Sequence, residues 1–319
     1  MPSLSVLVTY YNEGVLLREC LDSLLDGSDL PDEILVYDDA SPDIPAREVI
    51  GNDLPVHIIR GEENVGPSRG RNRLLDTASG DYVHFHDADD LFEPEWYCRV
   101  QTALAPPDAE SPDLVLTEIT SKRAGDVVAR HVVGFSQLQD DTDLLRFCVQ
   151  HPILPVCGTY RRSLLNSIGG YRTDLWQAED YDLHIRLALQ NPDYTCIQEP
   201  MATIRLRPGG RSRSNRDEVA RSIVQIGESL REELPQSYHN QLAEKVAWAG
   251  SLLYRHATPS EAKRAFDLAY ELGPPNEFQG KHGGYRLLAR TAGPLAAEKV
   301  SDLYRQLLPE GIRRLVPRG

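Results

Sequence analysis

The chain opens by alternating short apolar runs with stretches of helical periodicity. The runs are Leu4–Thr9, Glu33–Tyr37, Val56–Ile59 and Tyr82–Phe85. Between them, Val15–Leu25 repeats Leu17, Leu21, Leu24 and Leu25 at helical spacing, and Ser68–Ala78 places Leu74, Leu75 and Ala78 on one face. Pro45–Ile50 reads as a shorter helix. Strand–helix–strand order with short links predicts a parallel sheet covered by helices on both faces. In such sheets ligands bind at the carboxyl ends of the strands. Asp38 and Asp39 follow the second run directly, and Asp87 and Asp89 follow the fourth. Four carboxylates at one sheet edge repel one another, so something positive is expected there.

Farther along, Leu114–Thr120 reads as a strand followed by a loop to Asp143. Arg161–Leu165 and Tyr181–Leu189 read as helices, and Tyr194–Ile197 as a strand. After Pro208-Gly-Gly-Arg-Ser-Arg-Ser214 the pattern is helical almost to the end, which divides the chain into 1–214 and 215–319. A chain of 319 residues can bury a core of that size, and a mean hydropathy of −0.40 is that of an ordinary soluble protein. No apolar run approaches the ~20 residues of a membrane-spanning helix. A net charge of −14 argues against general nucleic-acid affinity. Met1–Val8 has no basic leader or cleavage site. Five cysteines lie singly with no CxxC pair, so a reducing cytoplasm is expected.

An Asp-x-Asp pair on a loop after a strand offers oxygen ligands to one divalent cation. Mg²⁺ and Mn²⁺ accept octahedral oxygen sites, commonly with one or two carboxylates and the rest from substrate phosphates. Taken alone, Asp87-Ala88-Asp89-Asp90 is equally a solvated turn or a helix cap. It does not stand alone. In order come Ser5-Val-Leu-Val-Thr-Tyr-Tyr-Asn-Glu13, Val36-Tyr-Asp-Asp-Ala-Ser-Pro-Asp43 and Asn64-Val-Gly-Pro-Ser-Arg-Gly-Arg-Asn72. Phe85-His-Asp-Ala-Asp-Asp90, Ile168-Gly-Gly-Tyr171 and Glu179-Asp-Tyr-Asp-Leu183 follow.

In these ordered motifs, over about the first two thirds of the chain, the sequence resembles the inverting family 2 glycosyltransferases of GT-A fold. The resemblance implies a Rossmann-like, mostly parallel sheet flanked by helices, with a helical C-terminal region. It implies a sugar moved from a nucleotide diphosphate donor, UDP-linked by the family's commonest habit, to the hydroxyl of a saccharide, lipid-linked or protein acceptor. Thr9, Tyr11, Glu13, Asp38 and Asp39 would hold base and ribose, with Asn64, Gly66, Arg71 and Asn72 near the nucleoside. Asp87 and Asp89 would ligate Mn²⁺ or Mg²⁺ on the diphosphate, with Ala88 between them against the donor. An inverting transfer needs one base for the acceptor hydroxyl. By similarity that is Asp180, with Glu179 beside it and Trp176 stacking on the acceptor sugar. Tyr11 packing in the core, Asp39 capping a turn, Arg71 as a surface ion-pair partner and Glu179-Asp180 merely starting a helix are the structural alternatives.

Three departures stand out. Ala40 replaces the glycine usual after the paired acids, and Gly70 stands where alanine precedes Arg-Asn. Where many relatives carry a histidine that contacts metal or diphosphate, this chain offers Arg205, Arg207 and Arg211. Charged arginine cannot ligate a metal but grips phosphate bidentately. A nucleotide-sugar pyrophosphorylase would need a glycine-rich, basic first loop that "LVTYYNEG" lacks. A catalytically inactive sugar- or protein-binding module would be expected to lose an acid that is present here. In the tail, Ser260–Leu272 is similar to the second helix of a tetratricopeptide repeat, but without a second copy a plain helical bundle is expected. Val300–Val316 interleaves Leu303, Tyr304, Leu307, Leu308, Ile312, Leu315 and Val316 with arginines. This suits a packed helix, or one lying on the inner face of an anionic membrane. A homo-oligomeric interface is a further use for these helices.

Overall fold

A computed structural model describes residues 1–27, 29–51, 53–107, 109–139, 143–207, 215–275, 281 and 283–307. The chain runs through β1 (Leu4–Tyr10), α1 (Gly14–Leu25), β2 (Glu33–Asp38), α2 (Ala46–Ile50), β3 (His57–Arg60), α3 (Pro67–Thr77), β4 (Tyr82–Asp87) and β5 (Leu91–Phe92). It continues with α4 (Trp96–Leu104), β6 (Leu114–Arg123), β7 (Asp126–Arg130), α5 (Leu144–Gln150), β8 (Gly158–Arg161), α6 (Arg162–Ser167), α7 (Glu179–Ala188) and β9 (Tyr194–Arg205). These elements build one unit, residues 1–174 with 179–210. Among the described residues the strands form a single sheet ordered β3-β2-β1-β4-β8-β6-β9-β5, with β7 on β6.

The half read from the apolar runs, β1 to β4, is wholly parallel. Beyond β4 the sheet is mixed. β8 runs antiparallel to both β4 and β6, β5 is antiparallel to β9, and only β6 and β9 pair in parallel. Antiparallel neighbours need no crossover helix, so the alternation that marks β1 to β4 does not mark these strands. β1 lies at the centre of the parallel half and is buried along almost its whole length. Leu4, Val6 and Val8 share a core with Leu17, Leu21 and Leu24 of α1, Ile34 and Val36 of β2, and Trp96, Val100 and Leu104 of α4. Each such side chain contributes about 1.5–3 kcal/mol on leaving water. Register then places the acids: Asp38 lies beside Tyr10 and Asp87 beside Thr9, at the same carboxyl edge on either side of β1.

Residues 120–143, expected as a loop, contain the end of β6, the edge strand β7 and a 3₁₀ turn at Phe135–Gln139. The β6–β7 hairpin turns at Ala124 (φ 51°) and Gly125 (φ 91°), the left-handed pair that matches strand twist in a two-residue connection. All five residues of β7 are exposed, so no alternation of apolar and polar residues betrays it. Glu118, where the β6–β9 register shifts, is 1% exposed and anchors the segment after β7. It accepts from the N–H groups of Val133 (3.2 Å), Gly134 (2.7 Å) and Phe135 (2.6 Å).

The second unit comprises residues 175–178 and 211–319. Its helices are α8 (Arg216–Leu230), α9 (His239–His256), α10 (Pro259–Leu272), α11 (Gly283–Ala292) and α12 (Pro294–Leu307). Helix α10 starts with a full capping box, Thr258 and Glu261 satisfying each other's backbone N–H, and its Ala262, Ala265 and Ala269 are buried. On α12, Ala297 and Glu298 are buried, but Val300, Leu303, Tyr304 and Leu307 are 52–75% exposed, so the expected packed helix does not bury these four. Leu308, Ile312, Arg313, Arg314, Leu315 and Val316 lie outside the described residues. No helix among the described residues is long and apolar enough to cross a membrane.

Replacing Glu118 by alanine strands three N–H donors, those of Val133 and Phe135 buried and that of Gly134 partly so. We expect a loss of about 3 kcal/mol or more in urea unfolding, with Glu118→Gln losing roughly half of that. A Glu118→Ala variant as stable as the parent would show that the 133–135 segment does not depend on this carboxylate.

Candidate active site

The loops leaving β1, β2 and β4 meet at the carboxyl edge. After β2 the two acids divide. Asp38 is 1% exposed and its oxygens are fully engaged: Oδ1 accepts from Ser41 N–H (2.9 Å), and Oδ2 from Ala46 N–H (3.0 Å) and Arg60 Nη1 (2.6 Å). It braces the β2–α2 loop rather than facing an open edge. Asp39 accepts from Val65 N–H (2.8 Å) and Gly66 N–H (2.9 Å), tying the β2 edge to the start of α3. Asn64 is exposed, its amide near the Asp39 carbonyl at 3.4 Å. Gly66 has φ +83°, and a Cβ there would meet nothing within 4 Å, so conformation rather than space requires the glycine. Ala40 sits at φ 56°, which explains why glycine is usual at that place. Gly70 leaves room for Tyr37, whose ring carbon would lie 2.9 Å from an added Cβ.

Arg71 connects the two halves of the site. It is 4% exposed, not on the surface, and its guanidinium pairs with Asp87 Oδ1 through Nη2 and with Glu179 Oε1 through Nη1, both at 2.8 Å. Burial alone would lower its pKa. The charges of Asp87 and Glu179 outweigh that and hold it firmly protonated. Its Cζ lies 5.1 Å from the centre of the Tyr171 ring. Asn72, expected near the nucleoside, instead exchanges two hydrogen bonds with the backbone of Tyr171, each 2.8 Å.

The first turn of α7 is anchored residue by residue. Glu179 holds Arg71, Tyr181 donates its hydroxyl to Val149 O (2.7 Å), and the wholly buried Asp182 holds Arg186 (2.6 Å) and Arg172 (3.4 Å). The carboxylate of Asp180 differs. Among the described residues its hydrogen bonds come from the first turn of its own helix, from Tyr181 N–H (2.8 Å) and its own N–H. Burial and the neighbouring Glu179 charge push its pKa up to about 7.

On the far side, Arg205 donates from its backbone to the buried Asp90 (3.0 Å) and from its guanidinium to Asp89 O, Glu19 and Leu16 O, bracing the β4–β5 turn against α1. Arg207 uses one nitrogen, Nη2, to bridge Glu13 (2.7 Å) and the Asp89 carboxylate. Arg211 lies outside the described residues. Burial, then the charges of Asp87 and Glu13, raise the Asp89 pKa, and Arg207 opposes the rise. Thr9 reaches Asp87 at 3.4 Å, Ala88 is buried, and Tyr11 is half-buried. Among the described residues no three carboxylates or imidazoles converge to hold an ion unaided. Asp87 and Asp89 each commit one oxygen to an arginine and keep the other, which fits a cation whose remaining ligands come from phosphate. Trp176, in the other unit, is 73% exposed.

The structure thus brings Thr9, Asp87, Arg71 and Glu179 into one group of contacts and Glu13, Asp89 and Arg207 into another, and gives Asp38, Asn72 and Arg205 bracing work. Sequence reasoning missed the Arg71–Glu179 pair, because nothing in the spacing of two residues so far apart signals a contact. Arg71→Met leaves two carboxylates without their cation. We expect a loss of about 3 kcal/mol or more in denaturant unfolding, of which Arg71→Lys restores only a part. An unchanged midpoint for Arg71→Met would remove the clamp.

Residues 5–169 match the profile described as glycosyl transferase family 2. The uncharacterized protein MT1568 of Mycobacterium tuberculosis is 31% identical over 212 residues, 60% of this chain and 63% of that protein. The uncharacterized glycosyltransferase YwdF of Bacillus subtilis is 27% identical over 204 residues, 63% of this chain and 72% of its own. The chain thus spans about two thirds of the length of these relatives. Among solved structures, S. aureus TarS 1–349 in complex with UDP-GlcNAc superposes with a TM-score of 0.68 at 20% identity, over 95% of this chain and 92% of that one. The mannosyltransferase PcManGT from Pyrobaculum calidifontis, in complex with GDP-Man and Mn²⁺, gives 0.53 at 21% identity, over 95% and 87%. The mixed sheet with flanking helices has the GT-A fold, and with more than half its length matching the family profile, the chain belongs to glycosyl transferase family 2.

Proposed function

We propose that this chain moves a sugar from a nucleotide diphosphate donor, UDP-linked, to an acceptor hydroxyl with inversion at the anomeric carbon. The observation that carries this reading is the double ion pair of Arg71. It links Asp87, at the edge where a diphosphate would lie, to the turn that presents Asp180. Asp39 and the backbone it gathers at Val65 and Gly66 would receive the nucleoside, with Thr9, Tyr11 and Glu13 at the end of β1. Mn²⁺ or Mg²⁺ held by Asp87 and Asp89 would supply charge neutralisation for the departing diphosphate. Arg207, bridging Glu13 and Asp89, is within reach of the same phosphates and can grip them bidentately. The donor nucleotide is inferred from TarS with UDP-GlcNAc; PcManGT with GDP-Man keeps a guanine nucleotide as the comparison. Residues 1–214 would carry catalysis and 215–319 the helical appendage. Polysaccharide or glycoconjugate synthesis at the cytoplasmic side is the setting that fits this chemistry.

Asp180 would take the acceptor proton. A carboxylate whose side chain no other element claims, with a pKa pushed up to about 7, is a stronger base than an exposed aspartate. Because the working form is deprotonated, turnover should rise with pH through about 7 and fall roughly tenfold per unit below it. Asp180→Asn should lower nucleotide release from UDP-GlcNAc by about 10²–10⁴-fold while UDP still stabilises the fold in a thermal-shift assay with Mn²⁺. EDTA should abolish release in the parent. Full activity of Asp180→Asn would refute the assignment of the base, and release unaffected by EDTA would refute the cation.

A further inference from the structure

Helix α7 carries a buried histidine one turn beyond the proposed base, a position where an apolar side chain would pack without needing partners. His184 is 2% exposed. Its Nδ1 lies 2.7 Å from the carbonyl oxygen of Asp180, and its Nε2 lies 2.8 Å from the hydroxyl of Tyr160 on β8. A carbonyl can only accept, so Nδ1 carries the proton. Burial lowers the His184 pKa to about 4, so the ring is neutral and Nε2 accepts from the Tyr160 hydroxyl. The hydrogen bonds therefore run one way, from Tyr160 to His184 to the Asp180 backbone.

The fold makes specific room for this chain. Tyr160 is fully buried, and a Cβ on Gly158 would fall 2.0 Å from its hydroxyl, so glycine at 158 clears the place the hydroxyl occupies. The Tyr160 ring sits 6.1 Å from Phe85 on β4, and Phe85 meets Tyr171 edge-on at 5.1 Å, beneath Arg71. The two neighbouring acids of α7 are thus held from two directions, Glu179 by Arg71 and Asp180 by its carbonyl. Only the Asp180 carboxylate is left without a partner from another element among the described residues.

We propose that Tyr160 and His184 are positioning residues for the base: they fix the Asp180 backbone and so aim its carboxylate, without touching donor or acceptor. The proposal rests on Asp180 being the base, and the test keeps the two apart. His184→Leu removes both hydrogen bonds, Tyr160→Phe removes one, and His184→Asn returns an amide N–H where Nδ1 was. Nucleotide release is measured with whichever of UDP-GlcNAc and GDP-mannose the parent turns over, and UDP or GDP affinity by titration calorimetry. A base displaced by a fraction of an ångström should lower kcat about tenfold to 10²-fold in His184→Leu, less in Tyr160→Phe, with nucleotide affinity and donor KM unchanged. His184→Asn should recover most of the rate. Crystals of the Tyr160→Phe and His184→Leu variants should show the Asp180 carboxylate turned from its parent direction.

An unchanged kcat and carboxylate direction in folded Tyr160→Phe and His184→Leu would overturn the proposal. So would nucleotide affinity falling in step with kcat, which is the mark of a merely structural role. If His184→Leu does not fold, Tyr160→Phe decides alone. If Asp180→Asn is fully active, the base assignment fails, whatever these variants do.

Discussion

A single buried guanidinium holds the candidate site together. Arg71 lies between Asp87 at the end of β4 and Glu179 at the start of α7, and neither acid could sit so close to the other's neighbours without it. Like charges this near, in surroundings of low dielectric, repel by several kcal/mol. One fixed cation converts that repulsion into a bridge between two elements that are distant in sequence. It also divides the work: Asp87 keeps one oxygen outside its pair with Arg71, while the Glu179 charge raises the Asp180 pKa more than Arg71 lowers it.

The rest of the edge follows the same rule of acids answered by arginines. Asp38 meets Arg60, Asp182 meets Arg172 and Arg186, Asp90 meets the Arg205 backbone, and Glu13 and Asp89 share Arg207. Most of these pairs brace loops. Asp89, Asp90 and Asp180 share a pKa raised by burial and a neighbouring acid, and of the three Asp90 is spent on the Arg205 N–H. A carboxylate kept in that condition gains from a positive charge or from a proton in transit, which is the behaviour expected of a cation ligand and of a base.

Much of the parallel half was legible because its physics is local. The runs that became β1 to β4 are apolar at strand length, and acids directly after a strand must lie at its carboxyl end. The antiparallel strands were not legible for equally local reasons. β5 has two residues and β8 four, while β7 is exposed along its length and so shows no alternation. The roles of arginines were hidden more deeply. The resemblance puts Arg71 near the nucleoside, with a surface ion pair as the alternative, and only the fold shows that two acids neutralise it inside. Asn72 and Asp38, expected at the ligand, make hydrogen bonds to the backbone of Tyr171 and of the β2–α2 loop. His184 carried a signal, a polar residue on the buried face of α7 at helical spacing from Asp180, that becomes meaningful only beside Tyr160.

On the proposed reading, the carboxyl edge of β4 and the first turn of α7 form one centre, with a cation at the first and a proton acceptor at the second. The most direct measurement is a crystal grown with Mn²⁺ and UDP and read by anomalous scattering at the manganese edge. A peak within about 2–2.5 Å of oxygens from both Asp87 and Asp89, touching the diphosphate, with the Asp180 carboxylate opening onto the same space, is the expected result. A diphosphate bound with no manganese at those acids, or an Asp180 side chain directed into the protein interior, would contradict it.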